Sequence, residues 1–143
     1  MRAVEAGEVW WARFDGRTPV VLLPGAEAGS WPALPIVPAA TTEQKRGFVV
    51  LTGAEAADEQ VRERIVAAAG PGIGGVGAEI AIGVAEGLPF DGVVRVGFPS
   101  PDRIFCTWLV TLTADDLIER AGRLPVEKRR HLDVVMRLAQ PAG

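Results

Sequence analysis

Residues Gly7–Leu23 read GEVWWARFDGRTPVVLL, two apolar runs joined by a short polar turn. In the first run Trp10, Ala12 and Phe14 fall on one side of an extended chain. Val9, Trp11 and Arg13 fall on the other, the period of two that a strand requires. Asp15-Gly16 supplies turn chemistry, and Pro19, with no amide proton to give a ladder, is tolerable only near a strand's start or on an edge. Val20–Leu23 then predicts a buried strand. The stretch reads as a hairpin, and it raises one question of function: either Arg17 is a solvated turn residue, or the turn presents a cation to a ligand.

Downstream, Pro24-Gly25 breaks the strand, and Gly25–Pro32 is expected as a loop carrying Trp31. Leu34–Ala40 (LPIVPAA) and Phe48–Leu51 (FVVL) predict two short strands, separated by the polar loop Thr41–Gly47 (TTEQKRG). The period changes over Ala54–Ala69, where Val61, Ile65, Ala68 and Ala69 recur at helical spacing and Gly70 can supply the stop. The following GPGIGGVG contains G-x-G-x-x-G at Gly70, Gly72 and Gly75. A dinucleotide loop follows a strand and opens a helix, because the phosphate rests on that helix's N-terminus. Here a helix precedes and a strand (Glu79–Val84) follows, so a flexible linker is expected instead.

Gly83–Pro89 is a turn-rich link, and Val93–Phe98 and Arg103–Leu112 predict strands joined by a Pro-Ser-Pro-Asp turn. Thr113 is expected to cap a short helix that Gly122 ends, with Asp115 and Asp116 in its first turn. Pro125–Ala139 predicts a second helix with Leu132, Val135, Met136 and Ala139 in one apolar stripe. The expected fold is mainly β: a half-open β-barrel of six or seven short strands with small helices, closure hiding the strand edges. The C-terminal amphipathic helix would cover an open end or join a second subunit.

The 143 residues suit one domain, spanning 1–143, with 54–77 as a helical and Gly-rich insertion. Hydrophobic residues make up 48% and charged residues 23%, within the soluble globular range. A net charge of −3 argues against a surface that coats nucleic acid, leaving room only for a local basic cleft. Its cations would come from Arg13, Arg17, Lys45 and Arg46, whereas Glu55–Glu63 is mainly acidic. With Cys106 the one cysteine an internal disulfide is excluded, and with His131 the one histidine a Cys/His zinc site within one chain is not expected. No apolar run approaches the ~20 residues of a membrane span. The N-terminus lacks a secretory signal's basic start and apolar middle, so a cytoplasmic location is expected.

Four segments, in order, resemble the MazF/PemK family of toxins from type II toxin–antitoxin systems. GEVWWARFDG with RTPVVLL is similar to the family's G-(D/E)-(I/V)-W-W strand and the R-P-V-V-V-L strand after it. LPIVPAATT with EQKRGFVVLTG resembles the strand that ends in a threonine and the K-G-(Y/F)…V-V-L-S-G segment. EGLPFDGVVRV resembles the G-L-P…S-V-V strand, and DDLIERAGRLPVEKRRHLDVVMRLA the family's C-terminal ending. The resemblance implies an SH3-like (MazF/CcdB-type) barrel, a homodimer, and sequence-specific cleavage of single-stranded mRNA without metal or cofactor. It also implies an antitoxin peptide whose tail occupies the RNA groove.

Two family residues are assigned the chemistry: the arginine before the second strand's proline and the threonine closing the third strand. Thr18 stands directly before Pro19, with Arg17 one place upstream, and Thr41 matches the threonine with Thr42 beside it. The family's Q-I-R-T strand is degenerate, matched best by Thr107–Thr111 and alternatively by Arg95–Ser100. Cleavage through the neighbouring 2′-hydroxyl needs stabilisation of a phosphorane's extra negative charge. Arginine's planar, permanently charged fork suits that task, and a threonine hydroxyl can donate to a phosphate oxygen. Arg17 and Thr41 are the candidate catalytic pair, with Thr18, Thr42, Lys45, Arg46 and Trp31 as candidate RNA contacts. Each has a plainer role open to it: Lys45-Arg46 as a solvated loop pair, Thr41-Thr42 as a strand end, a tryptophan as core. The rival functions are a non-cutting nucleic-acid- or protein-binding module and a topoisomerase-inhibiting toxin on the same barrel.

Overall fold

The computed structural model describes residues 4–25, 29–70, 72–98 and 109–139. Among them the elements run, in chain order, β1 (Glu8–Arg13), β2 (Arg17–Leu22), β3 (Ser30–Pro35), α1 (Thr42–Lys45), β4 (Phe48–Thr52), α2 (Gly53–Ala57), α3 (Glu59–Ala69) and β5 (Gly75–Ile82). A 3-10 turn (Val84–Glu86), β6 (Gly92–Phe98), β7 (Val110–Thr113), a second 3-10 turn (Ala114–Asp116), β8 (Leu117–Arg123) and α4 (Val126–Leu138) follow.

The opening hairpin forms as its period demands. β1 and β2 pair antiparallel, with Trp11 opposite Pro19 and Arg13 opposite Arg17. Asp15 and Gly16 turn the chain with φ of 49° and 90°, a left-handed step that Asp-Gly tolerates.

Five strands make one sheet in the order β7-β3-β2-β1-β8. Its two edge strands, β7 and β8, are joined by only the three residues Ala114–Asp116, so the sheet must curl until its edges meet at that end. The result is a half-open barrel. One face of the sheet buries Ala12, Val20, Leu22, Ala33 and Leu112, with Trp10, Phe14, Trp31 and Leu117 packed against them. The other face carries Val9, Val21 and Leu34 into a second core shared with Leu51, Ile80, Val94 and Val96 of the β4-β5-β6 sheet and with Leu132 and Val135 of α4. Each such fully buried aliphatic contributes about 1.5–3 kcal/mol. Between the sheets, Val37 and Val93 exchange N–H···O bonds of 2.8 and 2.7 Å.

β4 and β5 run parallel, so the chain between them has to return along the molecule, and α2 and α3 perform that crossover. The helical part of the segment expected as an insertion supplies the connection this pairing demands. Asp58 separates the two helices by accepting from the Gln60 and Val61 amides at 3.1 and 3.2 Å.

Several expectations are corrected. The helix expected over residues 113–122 is one 3-10 turn followed by strand β8, paired with β1 through two register shifts. Leu, Glu, Arg and Ala favour helix locally, but β1 offers an unpaired edge there, and the tertiary ladder prevails. Trp31 lies in β3 rather than in a loop. The third strand ends at Pro35, not Ala40, and the polar loop after it contains α1. Gly75–Gly77 belongs to β5 rather than to a linker. Of the expected 103–112 strand, only its end is described, as β7; the Pro-Ser-Pro-Asp turn and Cys106 lie outside the described residues. The α4 stripe stands as read, with Leu132 and Val135 buried and Met136 and Ala139 packed on the core.

Candidate functional site

Arg17 opens β2 on the same face as Trp11. Its guanidinium lies 4.7 Å from the Trp11 ring centroid, a cation–π stack, and its Nη2 donates to Oε1 of Glu119 on β8. Trp11 sits opposite both Pro19 and Glu119 in the ladders, so Arg17 reaches diagonally across β1 over the indole. Phe90, 45% exposed, meets the same indole edge-on at 6.0 Å. The Arg17 and Glu119 side chains remain 48% and 59% exposed. Arg13, exposed and opposite Arg17, adds a second guanidinium at this margin. Here a cation, a carboxylate and two aromatic rings share one open surface.

Thr41 is the N-cap of α1. Its Oγ1 accepts from the Gln44 amide at 3.1 Å, and its own amide donates to Gln44 Oε1 at 2.9 Å, a complete capping box. Accepting through oxygen leaves the hydroxyl proton available to a phosphate. The approach to Thr41 is held from behind: Glu79 Oε2 accepts from the Ala40 amide at 3.1 Å and from Arg95 Nε at 2.9 Å, while Arg95 Nη2 donates to the Pro38 carbonyl at 3.2 Å. Upstream, the Ile36 amide bonds the Pro19 carbonyl at 2.8 Å, so the segment leading to Thr41 leaves β3 alongside the start of β2.

The remaining candidates separate. Thr18 donates its hydroxyl to the Phe14 carbonyl at 2.7 Å and steadies the hairpin turn. Thr42 is exposed at the first position of α1, and Arg46 is exposed at its C-cap. Lys45 lines a cavity of about 300 Å³ with Thr52, Glu79, Val93, Lys128 and His131. Trp31 packs into the other core, on the face of the five-stranded sheet opposite Arg17 and Trp11. Arg17 and Thr41 are each engaged with a different partner, Glu119 and Gln44. Sequence reading missed Glu119, Phe90, Glu79 and Arg95 as neighbours of the candidate residues. Arg17 and Glu119 stand 102 positions apart, and neither residue type announces such a contact.

Among the described residues no three His, Cys, Asp or Glu side chains gather as a metal site, and no helix is long and apolar enough to cross a membrane.

A curled five-stranded sheet, a second sheet stitched to it and a C-terminal helix make a mainly β, half-open barrel, a fold shared with a MazF toxin. The particular likeness is to the Mycobacterium tuberculosis toxin MazF-mt6, at 13% identity and a TM-score of 0.50, over 92% of this chain and 94% of that one. No family model and no curated protein matches the sequence. At that identity the likeness establishes the fold.

Proposed function

We propose that this chain is a toxin of the MazF type that cleaves single-stranded RNA without a metal, and that an antitoxin peptide is its natural partner. The observation that carries the reading is Arg17: an arginine at the head of β2 on this barrel, stacked on Trp11 and open to solvent. The fold likeness over nearly the whole of both chains supports the toxin class.

In the reaction the RNA's own 2′-hydroxyl attacks the adjacent phosphorus, and the 5′-oxygen of the next nucleotide leaves. A 2′,3′-cyclic phosphate and a 5′-hydroxyl result. Arg17 neutralises the charge that gathers on the phosphorane's oxygens, and Thr41 donates its hydroxyl to one of them. Lys45 and Arg46 hold neighbouring phosphates. Electrostatic preorganisation of this kind is worth on the order of 10²–10³ in rate per donor.

Incubating the protein with long single-stranded RNA in EDTA tests the reading. Discrete fragments ending in cyclic phosphate support it, and their loss in Arg17→Ala and Thr41→Ala supports the assignment. Unchanged cutting in both variants would refute that assignment. A second reading, a binding module on the same barrel that does not cut, is favoured by the closed capping box around Thr41. It predicts RNA retention with no fragments.

A further inference from the structure

We propose that Glu119 is the general base of this cleavage, the group that takes the proton from the attacking 2′-hydroxyl; the inference rests on the reading just given. A metal-free cleavage through the 2′-oxygen needs a proton acceptor beside the phosphate, and arginine cannot serve, because its guanidinium never gives up its charge. The chain's one imidazole is elsewhere. His131 sits on α4 with its ring against Gly53 and 3.2 Å from Glu127, its side chain 13% exposed. Among the described residues the other embedded carboxylates are committed: Glu8 to Arg120 and the Glu5 amide, Glu79 to Arg95 and the Ala40 amide, Glu86 to Lys128 and the Gly83 amide. Among the described residues Glu119 is the carboxylate bonded to the guanidinium assigned to the phosphate, and it is more than half exposed.

The pairing leaves Arg17 free to act. One Nη2–H donates to Glu119, and the guanidinium's remaining N–H groups can donate to two phosphate oxygens. The pair is solvent-exposed, so the carboxylate can exchange its hydrogen bond from Arg17 for one from the substrate hydroxyl. Phe90 and the flank of Trp11 offer the apolar face on which the nucleotide's base rests. In the step, Glu119 removes the 2′-hydroxyl proton as the O2′–P bond forms. The P–O5′ bond then breaks and its electron pair stays on the 5′-oxygen, which takes a proton from water. No electron transfer and no further reactant is involved.

Single-turnover cutting of an oligoribonucleotide by wild type, Glu119→Gln and Glu119→Ala in EDTA tests the proposal. Affinity is measured in parallel for the same oligonucleotide made uncleavable by 2′-deoxy substitution at the scissile site. The expected result is a rate loss of about 100-fold or more in both variants, affinity for the uncleavable strand equal to or tighter than wild type, and partial rescue of Glu119→Ala by added formate. Glu119→Gln is the decisive variant, since its amide oxygen still accepts from Arg17. If wild type cuts and Glu119→Gln keeps more than about a tenth of its rate, or loses affinity in step with rate, the base is refuted while the nuclease reading stands. Absence of cutting by wild type refutes both.

Discussion

Glu8 is the most exacting test of the packing described above. Its side chain is 3% exposed at the start of β1, yet it carries a full set of partners. Oε1 accepts from the Glu5 amide at 3.0 Å and the Trp10 indole at 3.1 Å, and Oε2 accepts from Arg120 at 2.9 Å. Burial pushes its carboxyl toward the neutral form, but the hydrogen bonds from Glu5, Trp10 and Arg120 and the charge of Arg120 outweigh it and hold it below the usual carboxylate value. Glu8→Ala leaves three donors without their acceptor. Breaking a buried ion pair costs about 3–5 kcal/mol, and Arg120 keeps 28% exposure and can rehydrate, so about 3 kcal/mol is expected. With a urea slope of roughly 2 kcal/mol/M, the midpoint followed by tryptophan fluorescence falls by about 1.5 M. Glu8→Gln keeps the shape and loses the charge, at about 1–2 kcal/mol. A carboxyl lowered on folding contributes stability above its unfolded value and loses it as pH falls through the folded one. The gap between wild type and Glu8→Gln is therefore full at about pH 7 and narrows below about pH 4.5. A loss under about 1 kcal/mol in Glu8→Ala, or a gap that widens on acidification, would refute this account.

Arg17→Ala should lower RNA cutting by about 100-fold or more while moving stability by less than about 0.5 kcal/mol, since an exposed ion pair contributes little; Arg17→Lys should not restore the rate. EDTA should leave the wild-type rate unchanged, read on the same gel. Thr41→Asn should keep α1 capped, holding stability within about 0.5 kcal/mol, yet lose cutting with the hydroxyl, so a melt and a cleavage assay separate the two roles. Gly122→Ala should destabilise by about 2–3 kcal/mol, because its Cβ would lie 2.1 Å from the Glu86 carbonyl oxygen and force two backbones apart; a melt within about 0.5 kcal/mol of wild type would contradict that approach.

The hairpin and the C-terminal helix were legible because each satisfies one period without interruption. β1 sends Val9 and Trp11 to one core and Ala12 to the other, and α4 buries Leu132 and Val135 one turn apart. β8 was not legible, for a physical reason: register shifts between Val9 and Trp10 and between Trp11 and Ala12 break the alternation that its sequence would otherwise display. Thr41 was picked out, but as a strand end; the T-x-x-Q spacing to Gln44 is a helix-start signature, and the structure uses it as one. Arg17 is a candidate by its place in the chain, whereas its contact with Glu119 is not legible there, since the folded sheet brings the two together.

β8 also shows how the site and the fold specify one another. Neighbouring residues on it serve opposite purposes: Glu119 reaches Arg17 on the Trp11 face, and Arg120 reaches buried Glu8 beside Trp10. A slip of one residue against β1 would set Arg120 toward Arg17 and Glu119 toward Glu8, two like-charge encounters in place of two ion pairs. Apolar contacts, Leu117 on one core and Ala121 on the other, fix this register only in part, because β8 is half-exposed along its length and carries Ile118 42% exposed. Charge adds to it, mainly through the Glu8–Arg120 pair, and the carboxylate proposed as the base sits on the strand that this pairing keeps aligned. Exchanging the two residues, Glu119→Arg with Arg120→Glu, keeps composition and net charge constant. It should destabilise the chain by more than the sum of Glu119→Ala and Arg120→Ala, measured in urea, because both pairs invert together. A sum that accounts for the whole loss would mean that the register is set by something other than charge.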